Sequence, residues 1–226
     1  GFGYNRIMDY NNTFRLEGTA SSTNSSSTIL DPIVNNAQGT AFSALSGDAL
    51  LCWETWLMDT VAGTNNLYYS PFSGHSIHQS GLVKTSGGID EISVTFGGNY
   101  NDQLYIGGSI GFPILHYTEQ ITYKENPADA AALQGISNYT LSSTQEDEGS
   151  GINLKLGAIY QPWNFLRLGI GFQTPTYYWN IKDSYNRQMI SYYENGQNSD
   201  VWSYDNDYNF SLSTPLKANL SASFIV

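Results

Sequence analysis

The sequence predicts an all-β protein: an antiparallel transmembrane β-barrel wall with a short helix in one long extracellular loop. Three observations carry this. Apolar and polar residues alternate over runs near the ~9–11 residues that a tilted membrane strand needs. The composition is thin in charge and rich in aromatics, at 13% and 14%, with 17 Tyr and 22 Gly among 226 residues, whereas soluble domains hold about 25% charged residues. Finally, the connections divide into tight joints and long polar loops. A barrel wall needs only every second residue to be apolar, so its hydrophobicity is spread thinly. The longest apolar run, Ala49 to Trp53, is far below the ~20 residues of a spanning helix.

Seven strands are predicted, near 1–10, 13–21, 91–100, 103–124, 137–160, 164–186 and 199–226. In the second, Phe14, Leu16 and Ala20 oppose Thr13, Arg15, Glu17 and Thr19. Ile92, Val94, Phe96 and Tyr100 then oppose Glu91, Ser93, Thr95 and Asn99. Next, Leu104, Ile106, Ile110 and Phe112 oppose Gln103, Tyr105, Gly107, Ser109 and Gly111. Ile152, Leu154, Leu156 and Ala158 oppose Asn153, Lys155 and Gly157, and Leu166, Leu168, Ile170 and Phe172 oppose Arg167, Gly169, Gly171 and Gln173. The last stripe, Leu216 to Val226, sets Leu and Ala against Lys217, Asn219, Ser221 and Ser223.

Asn11-Asn12, Asn101-Asp102 and Gln161-Pro162-Trp163 read as tight turns. Segments 22–90, 125–136 and 187–198 read as loops on the opposite side, the asymmetry of outer-membrane barrels. Tyr4, Tyr10, Tyr100, Tyr160 and Trp163 would gird the tight-turn end. Pro113, Pro175 and Pro215 mark where membrane-length strands give way to outer extensions, because proline lacks a ladder donor. Within 22–90, the stretch from Ser21 to Thr28 is low-complexity. A helix is expected near 45–60, because Leu45, Ala49, Cys52, Trp53, Trp56 and Leu57 recur at helical spacing, with Asp48 as N-cap and Gly63 as stop. Its apolar side either packs on the strand extensions or covers the mouth, with Trp53, Trp56 and Leu57 as apolar ligand candidates.

Nine basic against twenty acidic residues give a net charge of −11, which excludes a nucleic-acid face built on clustered Lys and Arg. The single Cys52 excludes an internal disulfide framework and a Cys-rich zinc site. No nucleophile elbow or HExxH motif is present, so neither an enzyme nor a cofactor is expected. His75 and His78 have metal-compatible spacing, but Gly74 and Ser76 favour a loop without a third ligand. Acidic groups at Glu146-Asp147-Glu148 and at Asp200, Asp205 and Asp207 form either a solvated rim or a calcium bridge to lipopolysaccharide. Arg15, Lys155, Arg167 and Lys217 fall on predicted lumen positions, as do Glu17 and Glu91. The basic groups either pair with these carboxylates or dock a ligand carboxylate.

Gly97-Gly98-Asn99-Tyr100, Tyr105-Ile106-Gly107-Gly108-Ser109-Ile110-Gly111, Gly151 to Gly157 and Arg167 to Pro175 resemble the middle of the OmpP1/FadL/TodX outer-membrane transporters, especially the Bacteroidetes branch. The opening Gly1 to Arg6 and the Leu51 to Met58 stretch are similar too. The resemblance spans most of the chain, and its motifs belong to the barrel rather than to a substrate. It implies a fourteen-stranded, plugged barrel of the bacterial outer membrane that admits hydrophobic compounds, such as long-chain fatty acids, by passive diffusion. Its partners would be outer-membrane lipids, lipopolysaccharide and a hydrophobic small molecule. Seven strands are half of such a barrel and the family's Asn-Pro-Ala plug motif is absent, so residues 1–226 are expected to be a barrel segment completed by further strands or partner chains. The rival readings are a structural or docking barrel without transport and a soluble carbohydrate-binding β-sandwich.

Overall fold

In the computed structural model, residues 1–20, 28–128, 133–203 and 206–224 are described. In chain order they form β1 (Phe2–Asp9), β2 (Asn12–Ala20), α1 (Leu30–Ala37), a 3₁₀ turn (Phe42–Ala44), α2 (Gly47–Glu54), β3 (Asp59–Thr60) and β4 (Tyr68–Tyr69). There follow β5 (Ile77–Tyr100), β6 (Leu104–Pro127), β7 (Ile136–Trp163), β8 (Leu166–Gln173), β9 (Tyr177–Tyr193), β10 (Asn198–Trp202), β11 (Asn206–Ser213) and β12 (Lys217–Phe224). The fold is all-β and antiparallel, as expected. Among the described residues no helix is long and apolar enough to cross a membrane, which says nothing about crossing by strands.

Six strand paths, rather than seven, make up the sheet. β1 and β2 both pair antiparallel with β5, Phe2 opposite Val94 and Asn12 opposite Thr85, so they run end to end along one neighbour. Asn11-Asn12 is therefore no hairpin. The Tyr10 amide bonds to the Gly87 carbonyl, and the Gly87 amide donates to Asn11 Oδ1, which carries the chain straight on. In the same way β8 and β9 line β7, while β12 and β11 line β8 and β9, with β10 also on β9. The spatial order is β1/β2, β5, β6, β7, β8/β9 and β10–β12. The two outer paths do not pair with each other among the described residues, so the sheet is open.

Long polar loops also give way to strand. β5 begins at Ile77, so the inserted segment ends before it and not at 90. β6 runs to Pro127, β7 starts at Ile136, and β9 reaches Tyr193. Hydrogen bonds to neighbours on both sides hold these polar, Tyr-rich stretches extended, where sequence polarity alone reads as loop. The turn at Asn101-Asp102 is as predicted: both residues have left-handed φ, 51° and 54°, and the Gln103 amide bonds to the Tyr100 carbonyl at 3.2 Å within a three-residue connection from Tyr100 to Leu104. The next turn is Asn164-Phe165, and Gln161-Pro162 forms a bulge before it. Tyr100, Tyr160 and Trp163 lie at this end, whereas Tyr4 faces Ile92 and Tyr10 packs edge-on against Tyr117 higher up.

Prolines sit where the ladder lapses. Pro175 and Pro215 occupy the breaks between β8 and β9 and between β11 and β12. Their threonines repair the gaps: Thr174 Oγ1 accepts from the Leu154 amide at 2.9 Å, and Thr214 Oγ1 from the Thr176 amide at 2.8 Å. Pro113 lies inside β6, beside the one interruption of its pairing with β7.

The segment 28–76 folds as a cap over one face of the upper sheet. Leu30, Val34, Leu51, Cys52, Leu57, Met58 and Phe72 pack with Ile77, Ile136, Tyr139, Leu141 and Met189 of the strands. The helix expected over 45–60 exists only as α2, which ends at Glu54, and Ser46 rather than Asp48 is its N-cap. The low-complexity stretch 21–27 lies outside the described residues, as does Asp205.

Candidate functional site

Because paired residues share a face, the registers sort the lower sheet into two sides. One carries the apolar stripes, aligned strand to strand. Val94 faces Phe2 and Ile110, Ile110 faces Leu154, Leu156 faces Phe172, and Ile170 faces Leu220. Ile92, Phe96, Ile106, Leu168 and Phe224 on this side are all exposed. The other side is a trough of about 610 Å³, lined by glycines with Tyr105, Ser109, Lys155, Ile159, Asn219 and Ser221. Its floor holds a cross-strand row, Gly97-Gly107-Gly157-Gly171, with Asn219 completing it on β12. Four adjacent strands there present backbone instead of side chains.

Above that row stands the trough's buried polar group. Glu91 of β5 is 4% exposed and reaches across β6, where Gly111 leaves it room: a Cβ at 111 would stand 2.5 Å from Glu91 Oε2 and 2.7 Å from Asn153 Oδ1. Asn153 Nδ2 donates to Glu91 Oε2 at 2.8 Å, and the Lys155 ammonium pairs with Glu91 Oε1. Desolvating a carboxylate this far requires such partners. Asn153 Oδ1 is buried without a partner among the described residues, which leaves an acceptor open beside the ion pair.

The four basic candidates do not share one site. Lys155 and Lys217 oppose Gln173 from its two sides, roughly 10 Å apart at the usual strand spacing. Arg167 is on the same face but six residues from Gln173 along β8, roughly 20 Å lower, where its Nε donates to Gln161 Oε1 at 3.3 Å. Among the described residues neither Lys217 nor Arg167 has a carboxylate partner. Arg15 is on the other face. It opposes Leu82 and lies 3.5 Å from Glu17, which also pairs with His78 at 3.0 Å. The cause is the irregularity between Arg6 and Met8, where one extra residue shifts the register and exchanges the two sides of the path. Sequence alternation carries no mark of that residue.

Further up the same face, Tyr178 and Ile181 lie across Gly151 and Gly149. Asp147 opposes Asp183, and burial followed by this like charge pushes the Asp147 carboxyl up. Glu146 and Glu148 point to the opposite side within β7, Glu148 3.3 Å from His116, rather than forming a loop rim. Among the described residues no three His, Cys, Asp or Glu side chains converge on a metal position.

At the top of the sheet lies a group that no sequence pattern announces, Glu125. This fully buried carboxylate of β6 accepts from Tyr139 OH at 2.6 Å, Tyr123 OH at 2.8 Å, Gln79 Nε2 at 2.9 Å and the Ile29 amide at 3.0 Å, and also from Thr28 Oγ1. It clasps the start of the cap to the sheet. Burial first, then Glu125, raises the Tyr139 and Tyr123 phenols above their usual range. On the far side of the cap Arg187 donates to Asp48 Oδ2 at 2.6 Å. The apolar ligand candidates separate. Leu57 is core, Trp53 stacks on Phe42 at 6.1 Å, and Trp56 is 65% exposed. Comparison with protein-family models, curated proteins and solved structures finds no match.

Proposed function

We propose that this chain is wall and cap of a bacterial outer-membrane channel that admits hydrophobic compounds, long-chain carboxylic acids among them, by passive diffusion. One observation carries the reading: an exposed apolar band crosses all six strand paths on the side opposite the Glu91–Lys155 trough. In water such a band would be an extended sticky surface; against hydrocarbon it is what a barrel strand requires. Support comes also from the aromatic tight-turn end and from the outer edges of the two outer paths, which have no strand partner among the described residues and are suited to further strands of a closed wall. Within the trough the glycine row offers a smooth floor for an alkyl chain. Lys155 is engaged by Glu91, so Lys217, with Arg167 below it, is the cation open to a ligand carboxylate by charge-assisted hydrogen bonding.

Full-length protein reconstituted in liposomes should take up labelled oleate, and Lys217→Gln should slow that uptake while leaving heat-modifiable gel mobility unchanged. A chain that is soluble without detergent and insensitive to boiling on the gel would refute the membrane reading. A heat-modifiable barrel that gives no uptake would refute transport.

A further inference from the structure

Trp56 stands in a backbone conformation that a large side chain rarely adopts. Its φ is 63°, in the left-handed region where glycine is at ease and a bulky residue is an outlier. The position is the residue after the C-cap of α2. The Leu57 amide donates to the Cys52 carbonyl at 2.9 Å and the Trp56 amide to the Trp53 carbonyl at 3.2 Å. This is the Schellman closure, whose left-handed site normally takes glycine. The indole is also 65% exposed, so core packing does not account for it. A strained residue whose side chain projects outward points to use of that side chain.

Two of the three hollows beside it carry polar groups, while the third, of about 200 Å³, lies against Trp53, Glu54, Met58 and Asp59. Trp56 borders a hollow of about 300 Å³ with Asp59, Gln134, Ile136 and Tyr193, and a second, more open one with Tyr193, Gln197, Asn198 and Ser199. Gln134 is itself left-handed, with φ 53°, and its Nε2 donates to Tyr69 OH at 3.2 Å. Two non-glycine residues in this conformation thus converge on one hollow at the end of the molecule away from the tight turns. The volume is at the lower end for small-molecule sites. An exposed ring beside amides, a carboxylate and hydroxyls does not suit an alkyl chain, which offers nothing to those donors and acceptors. It suits a ligand with a flat C–H face to lie on the indole and hydroxyls around its edge. We infer that Trp56, Tyr193 and Gln134 form a saccharide-binding site on the outer tip of the cap, with the indole as stacking platform and Gln134, Asp59 and Asn198 as hydroxyl partners. The site is separate from the trough, and it does not depend on the channel reading.

The test is titration of the full chain in detergent micelles with maltoheptaose and with cellohexaose, followed by tryptophan fluorescence and calorimetry. Saturable binding of at least one is expected. It should weaken about tenfold or more in Trp56→Ala, as for a central aromatic anchor, and be partly retained in Trp56→Tyr. Trp56→Gly separates binding from folding: glycine fits the left-handed site, so the thermal midpoint should equal or exceed that of the parent while binding disappears. Absence of saturable saccharide binding, or equal binding by Trp56→Gly, overturns the inference. Binding of decanoate at this place, abolished by Trp56→Gly with no saccharide response, also overturns it and makes Trp56 an apolar gatherer.

Discussion

The lower and upper regions of the sheet share the same strands yet are held together in opposite ways. In the upper region a single face is covered: Ile77, Tyr139, Leu141 and Met189 meet the cap in the molecule's main buried apolar cluster. In the lower region both faces are open, with Phe2 90% and Leu220 83% exposed on the band side and Ile159 47% on the trough side, and the chain contributes mainly its ladder of hydrogen bonds. A ladder alone is worth little in water, because strands exchange solvent bonds for each other's. The upper region therefore carries its own core, whereas on the reading proposed above the lower region would take its apolar surround from the membrane. One sheet can be folded by burial at one end and by its environment at the other.

Removing the clasp should break the upper region most strongly. Glu125→Ala strands the donors of Tyr139, Tyr123, Gln79, Thr28 and Ile29, and each buried donor left without a partner costs about 1–3 kcal/mol. Hydrogen exchange should quicken in 28–76 and in the facing strand ends, with protection at 104–112 and 154–160 unchanged. Equal loss at both ends would show that the two regions unfold as one unit. The lower region is tested by Ile170→Arg, which places charge in the apolar band opposite Ala158 and Leu220. In bilayers this should cost about 2–4 kcal/mol at mid-depth, against under about 0.5 kcal/mol for Asn219→Arg on the trough side. Urea unfolding in lipid reads both, and equal costs would remove the assignment of faces.

A smaller effect belongs to the junction of the two regions. Gly111→Ala would drive a methyl to 2.5 Å from Glu91 Oε2, costing about 1–3 kcal/mol as Glu91 and Asn153 shift. Gly98→Ala meets no atom within 4 Å and serves as control. An unchanged midpoint for Gly111→Ala would mean that Glu91 has another place to go, and the ion pair would lose its fixed geometry.

The lower sheet is legible in the sequence because period-two alternation within a strand survives any choice of partner: Leu154 and Leu156 share a face, as do Leu168 and Ile170, whatever the register between their strands. Strand continuation above Pro113 and Pro175 is only partly legible. Polarity reads the same in a solvated strand as in a loop, so 77–90 and 187–193 look like loop until their neighbours are known. The face of Arg15 is hidden by a single bulge near Ile7. Lys155 and Glu91 can be placed on one side but not joined, since the contact crosses β6 at a glycine. Glu125 and the left-handed Trp56 depend on contacts between segments nearly a hundred residues apart or on backbone angles, neither of which a local pattern encodes.

Alkali offers the gentlest way to separate the two regions. Burial first, then Asp48, pushes the Cys52 thiol from an ordinary 9.0 up to about 12, and the Tyr139 and Tyr123 phenols are raised for the same leading reason. An acid whose pKa is raised by folding keeps its proton in the folded cap after the unfolded chain has released it. Unfolding then liberates protons, so stability is full below about pH 9 and falls as pH climbs from 9 toward 12. Cys52 alkylation should stay slow for the folded cap and accelerate over that window as opening becomes easier. Lower-sheet exchange, corrected for the intrinsic rise with pH, should hold steady, because these three groups all lie in or under the cap. If alkylation followed only the ordinary thiol titration near pH 9, Cys52 would be open to solvent and the cap would lack the sealed core that distinguishes it from the sheet below.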